Sequence, residues 1–238
     1  MTNKIVSIGV ELEGGMDYAD KRKVATAYGS NDRFEMKNDG SVHVHQKEDS
    51  NMEMTYWSTK TKDVFDFIGF CYANGFETDD SCGLHVHVRF SDMESAVAML
   101  SLPKPQQLFI RLFKDKFGDN PKYMNRLTNN YCKARYNENA VVAQITREAA
   151  RYHAVNLAAY GKHGTVEFRL LPRAKTGTEA VSAIRWLLNT VTKILNQKLM
   201  KGVVMKTVPG FRMENYTVPG NMELEIHELT AEGLTCAD

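Results

Sequence analysis

The sequence lacks most of the signals that sort a chain quickly into a functional class. Only four of its 238 residues are cysteine (Cys71, Cys82, Cys132 and Cys236), and no two stand in a CxxC pair. This argues against a thiolate zinc site and against a disulfide framework, and scattered free thiols suit a reducing compartment. An excess of charge is also missing. Thirty Lys and Arg against 29 Asp and Glu leave a formal +1, so nothing demands a polyanionic partner such as nucleic acid. No apolar run approaches the roughly 20 residues that span a bilayer, and Glu11 and Glu13 interrupt the first apolar run too early for a secretory signal. GxGxxG, GxxxxGK[ST] and HExxH are all absent, as are internal repeats and low-complexity blocks. The expectation is a cytoplasmic protein long enough to bury a sizeable core.

What is present is a change of period along an ordinary globular composition of 43% hydrophobic and 25% charged residues. In "KIVSIGVELEGG", Ile8, Val10 and Leu12 alternate with Gly9, Glu11 and Glu13, which predicts a strand with a carboxylate face. "RFEMKNDGSVHVHQ" predicts a hairpin about Asp39-Gly40, with His43 and His45 on the exposed face of an edge strand. "NMEMTYWS" predicts a strand carrying Glu53, with Trp57 and the other strand aromatics in the core. Over 61–74, Val64, Phe67, Ile68, Cys71 and Tyr72 fall at helical spacing before Gly75. "CGLHVHVRF" returns to period two. Helices are expected in "DMESAVAMLSL", in "KPQQLFIRLFKDKFG" and near 144–152, a strand over 164–172, and a long helix over 178–200 capped by Thr178. "MELEIHEL" near the C-terminus reads as a final strand. Without regular βαβ alternation, this predicts one α+β catalytic domain over 1–202 and a C-terminal extension over 203–238.

Charged residues recur at i, i+2 on these strands: Glu11 with Glu13, His85 with His87, and Glu167 with Arg169. Period two puts the apolar partners of each pair under helices and the charged set on the opposite face. If the strands are neighbours, that face gathers carboxylate, imidazole and guanidinium. Carboxylates with one imidazole suit Mg²⁺ or Mn²⁺, and an arginine beside them suits phosphate. These are the parts a phosphoryl transfer requires.

"GVELE", "DGS" followed by a strand glutamate, "CGLHVHV", "RY" and "TVEFRLLP", in this order over roughly residues 5–173, resemble the amidoligase family, relatives of glutamine synthetase and glutamate–cysteine ligase. The resemblance implies a curved, mostly antiparallel sheet with helices on its outer face, as in a glutamine synthetase catalytic domain. It also implies ATP-dependent amide formation through an acyl phosphate, with Mg²⁺ or Mn²⁺ as cofactor. Carried over residue by residue, it gives metal roles to Glu11, Glu13, Glu53, His85 and Glu167, with His85 slightly preferred over His87. ATP would be held by His87, Arg169 and Arg126, and Glu11, Glu53, Arg169 and Arg135 would be catalytic. Asp39 and Ser41 would shape the substrate rim, Tyr136 would contact substrate, and Asn156 would support the site. Cys132 is not read as a nucleophile. The partners implied are a carboxylate and an amine (amino acid, polyamine, peptide or protein side chain), with neither nucleic acid nor membrane, and a homo-oligomer is compatible with them. The same surface also suits a divalent-metal hydrolase of amides or esters, or an inactive nucleotide-binding relative.

Overall fold

A computed structural model describes residues 3–45, 50–134 and 151–196. Within them the fold is α+β: one six-stranded antiparallel sheet and seven helices. The strands are β1 (Ile5–Gly15), β2 (Phe34–Asn38), β3 (Asn51–Ser58), β4 (Leu84–Phe90), β5 (Val155–Asn156) and β6 (Val166–Phe168). They lie in the order β2-β3-β1-β4-β6-β5. The helices are α1 (Tyr18–Tyr28), α2 (Thr61–Ala73), α3 (Met93–Leu100), α4 (Pro103–Phe117), α5 (Pro121–Thr128), α6 (Ala158–His163) and α7 (Gly177–Asn196).

Alternation decides which side of the sheet is dry. Ile8, Val10 and Leu12 of β1, Met52, Met54 and Tyr56 of β3, Leu84, Val86 and Val88 of β4, and Val166 and Phe168 of β6 are all buried. The apolar stripe of α2 (Val64, Phe67, Ile68, Cys71) is buried with them, and Phe67 stacks on Tyr56 with ring centroids 4.8 Å apart. Phe109 of α4 meets Phe168 edge-on at 5.5 Å. Helix α7 closes the layer with ten buried residues. Gly75, past the end of α2, has φ +81°, a left-handed conformation that glycine adopts without steric penalty.

Several expectations are corrected. The chain after Asp39-Gly40 does not turn straight back: β2 pairs with β3, and the connection passes through Val42 to His45 as irregular backbone. There the Asp39 side chain accepts from the Ser41 amide and hydroxyl at 2.8 and 2.7 Å, and such a local turn competes with a ladder. His43 and His45 therefore belong to no edge strand. The strand over 164–172 shrinks to Val166–Phe168; beyond it the contact with β4 is reduced to the Leu84 amide donating to the Leu171 carbonyl at 3.2 Å and an isolated bridge between Gly83 and Pro172. The cap of α7 is Thr176, whose hydroxyl accepts from the Glu179 amide at 3.1 Å, rather than Thr178. Thr176-x-x-Glu179 has the spacing of a capping box. Trp57 is not core: it is 47% exposed on the polar side of β3. Residues 144–150, the end of the long helix past Asn196, and "MELEIHEL" lie outside the described residues.

Candidate active site

The antiparallel register turns the i, i+2 pairs of the sequence into rows running across the polar face. Glu13 faces Glu53, which faces Lys37. Glu11 faces Thr55 on one side and His85 on the other. Gly9 lies between Trp57 and His87, and His87 faces Glu167, which faces Asn156. The rows floor a cleft of about 1880 Å³, larger than the roughly 300–1,000 Å³ that holds a single small ligand. Arg126, from α5, and His163, from α6, stand over it.

At the centre the Glu11 carboxylate bridges two imidazoles, 3.0 Å from His85 Nδ1 and 2.9 Å from His87 Nε2. Burial pushes this carboxyl up, but hydrogen bonds and charge from His85 and His87 outweigh burial and hold it far below the usual carboxylate range. The His87 imidazole responds in kind. Burial opposes its protonation, yet the bond and charge of Glu11 win and raise its pKa. His87 Nδ1 is held by the Thr165 hydroxyl at 2.9 Å. Glu167 is clamped from both sides: buried Asn156 donates to Oε2 at 2.5 Å and Arg169 donates to Oε1. His85 is only 3% exposed, with Glu13 and Glu167 oxygens 3.7 and 3.6 Å from its ring nitrogens.

Two donor sets emerge. Ligand atoms of Glu11, His87 and Glu167 all lie within 4.8 Å of one another, as do those of Glu13, Asp39 and Glu53. Opposite ligands on an octahedral Mg²⁺ stand about 4.2 Å apart, so small side-chain shifts would bring either set onto a divalent ion. The oxygen-rich make-up favours Mg²⁺ or Mn²⁺. Burial and the nearby Glu11 charge push the Glu53 carboxyl up, against the Lys37 ammonium 2.7 Å away.

Arg126 is nearly buried. Its Nη2 donates to the Arg169 carbonyl at 2.9 Å, and among the described residues its Nε has no hydrogen-bond partner. Arg169 Nε donates to the Tyr131 carbonyl at 3.1 Å. Arg135 and Tyr136 lie outside the described residues. Cys132 is fully buried, its thiol donates to the Arg126 carbonyl, and burial pushes its pKa up. That describes a packed thiol, not a nucleophile.

Sequence reasoning missed four contributors. Trp57 shares the strand parity of Glu53 and Thr55, which signals their common face. Lys37 sits at the same parity as Glu35 on the neighbouring strand. Tyr131 and Tyr152, whose rings meet edge-on at 5.6 Å, line the cleft beyond Arg169 with no periodic signal to announce them.

No helix among the described residues is long and apolar enough to cross a membrane. No curated protein matches the chain. A family model described as "putative amidoligase enzyme" matches residues 71–191, a span that takes in His85, His87, Asn156, Glu167, Arg169 and Arg126. The chain belongs to this amidoligase family.

Proposed function

We propose that the protein is an ATP-dependent carboxylate–amine ligase that forms an amide through an acyl phosphate. The observation that carries this reading is the joint occurrence, on one open sheet face, of two carboxylate-rich donor sets and the arginines Arg126 and Arg169. A hydrolase needs only a donor set. Cationic side chains beside the acidic sets give a transferring phosphoryl group its counter-charge. A divalent ion held by Glu11, His87 and Glu167, with a second at Glu13, Asp39 and Glu53, would supply charge neutralisation for the polyphosphate.

The chain's own residues do the rest. Arg126 brings a nearly buried guanidinium to the lining of the cleft, where it would meet an anionic oxygen of the nucleotide. Arg169 is held by its bonds to the Glu167 carboxylate and the Tyr131 carbonyl and would follow charge moving from ATP to the acid. The substrate carboxylate oxygen attacks the γ-phosphorus, and the bond from that phosphorus to ADP breaks. The amine nitrogen then attacks the acyl carbon, gives up a proton, and expels inorganic phosphate. Asn156 and Thr165 hold Glu167 and His87 in place during these steps. The glutamine synthetase-like relationship, the cytoplasmic location and the domain limits at 202 and 203 belong to the same proposal.

The reading is tested by incubating the protein with ATP, Mg²⁺ and mixtures of amino acids, polyamines and peptides, followed by mass spectrometry. The expected product is one acid and one amine joined with loss of water, with ADP and phosphate released. Glu11→Ala and Arg169→Ala should each abolish ADP release while retaining a cooperative melt. Hydrolysis of esters or amides with metal alone, and no ADP from any mixture, would favour the hydrolase and refute the ligase.

A further inference from the structure

The Trp57 indole is the feature of the cleft that phosphoryl chemistry leaves unused. It is 47% exposed on the polar side of β3, and the Arg33 guanidinium sits 5.4 Å from the ring centroid. Its partner across the ladder is Gly9. Its neighbours on this face of β1, Ser7 and Glu11, both carry polar side chains. A Cβ at Gly9 would stand 3.3 Å from Trp57 Cβ and 3.5 Å from His87 Cβ. The missing side chain therefore leaves a strip of bare backbone, walled by an indole on one side and an imidazole on the other. Ser7, Arg89 and Lys162 line the cleft next to it.

We propose that the Trp57–Gly9–His87 row is the seat of the purine base of ATP, an assignment that rests on the ligase reading above. A flat ring needs a floor without a side chain and an aromatic wall to stack on, and this row supplies both. The charge along the cleft sets the direction of the nucleotide. One residue pair along β1 from the bare floor lies Glu11, which with His87 and Glu167 forms the first donor set. A polyphosphate leaving the seat runs along β1 from Gly9 toward Glu11 and His85 and reaches that set and its cation, while Arg89, opposite Ser7, lies on the other side of the seat. The far end, at Glu13, Asp39, Glu53 and Asp80, is acidic. Beyond the second ion it would hold, its surplus carboxylates would attract a protonated amine. The base thus lies at the Trp57 end and the amine enters from the other.

The chain has two tryptophans, and Trp186 is buried among Phe109, Phe113 and Phe117, so a nucleotide-dependent change in indole emission reports on Trp57. The test titrates ATP and, separately, inorganic tripolyphosphate, both with Mg²⁺. It uses wild type, Trp57→Ala and Gly9→Val, and reads binding by calorimetry and emission by fluorescence. ATP should quench wild-type emission. Both variants should bind ATP about 5- to 150-fold more weakly, the range spanned by loss of one base–aromatic stack, and should bind tripolyphosphate within twofold of wild type. Equal losses for both ligands, or ATP affinity within twofold of wild type in Trp57→Ala, would overturn the base assignment while leaving the ligase reading in place. If wild type binds neither ligand, the ligase reading itself falls.

Discussion

Replacing Gly83 by alanine probes the site at the point where three of its side chains converge. The Gly83 amide donates to Glu13 Oε2 at 2.5 Å. A Cβ there would lie 2.9 Å from His85 Nε2, 3.0 Å from Glu13 Oε2 and 3.1 Å from Arg126 Nη2. Ordinary contact begins near 3.4 Å, so the three tips must retreat by about 0.3 to 0.5 Å, the differences between that value and the three distances. All three are ends of side chains, and the backbone at Gly83 has no positive φ, so alanine fits the chain itself. Small rotamer departures of this kind cost about 1 kcal/mol, or about 2–4 °C of Tm for a protein of this size. Metal binding should suffer far more, because displacing the neighbours that orient a ligand costs about 10–100-fold in affinity. Mn²⁺ titration followed by electron paramagnetic resonance, with a melting curve on the same samples, separates the two effects. Mn²⁺ affinity within twofold of wild type would refute the placement of Glu13 in a donor set and of His85 as the imidazole that orients Glu11 beside it. A melting temperature lower by more than about 15 °C, several times what the contacts predict, would show that Gly83 serves the fold instead.

Asn156→Ala should lower Mn²⁺ affinity about tenfold by freeing Glu167 Oε2 and destabilise the protein by about 1–3 kcal/mol, the penalty of an unsatisfied buried acceptor, read as a shift in denaturant midpoint at constant slope. In the metal-free protein, Glu11 titrates below its unfolded range and His87 above it. The stability from Glu11 is present above about pH 4.3 and lost as acid titrates it; that from His87 is present below about pH 6.5 and lost as pH rises. Tm should therefore peak between these values, and the peak should flatten in Glu11→Gln, as scanning calorimetry across pH would record. In a Cys236→Ala background, native protein at neutral pH should resist thiol reagents at Cys71, Cys82 and Cys132. All three are buried, and burial pushes the Cys82 thiol up to about 12. Rapid labelling of even one of them, counted against guanidinium-unfolded protein, would contradict the packing described.

Much of the fold is legible because the sheet has one dry face. Period two in "GVELE", "LHVHV" and "VEF" fixes which side chains share a face, and burial of the alternating valines and leucines leaves each strand a single way to lie. The helical stripe of α2 is equally readable, because Val64, Phe67, Ile68 and Cys71 must all reach the same layer. The site was legible to the extent that strand parity reaches: Glu11, His87, Glu167 and Glu53 share a face by arithmetic. Which strands become neighbours is a tertiary fact, so the pairing of Gly9 with both Trp57 and His87 could not be read from spacing. Asp39 joins Glu13 and Glu53 only because the irregular link between β2 and β3 keeps it near the sheet. Trp57 reads as core only when its apolar character is set above strand parity; its parity with Thr55 and Glu53 points to the cleft.

The acyl phosphate is the central claim, and isotope transfer tests it most directly. The substrate mixtures are supplied with every carboxylate labelled with ¹⁸O, in the presence of ATP and Mg²⁺, and the released phosphate is analysed by mass spectrometry. An acid that attacks the γ-phosphorus leaves one of its oxygens on phosphate, so one ¹⁸O should appear in inorganic phosphate for each amide formed and one should remain in the amide. Unlabelled phosphate, or label found in AMP with release of pyrophosphate, would contradict the account.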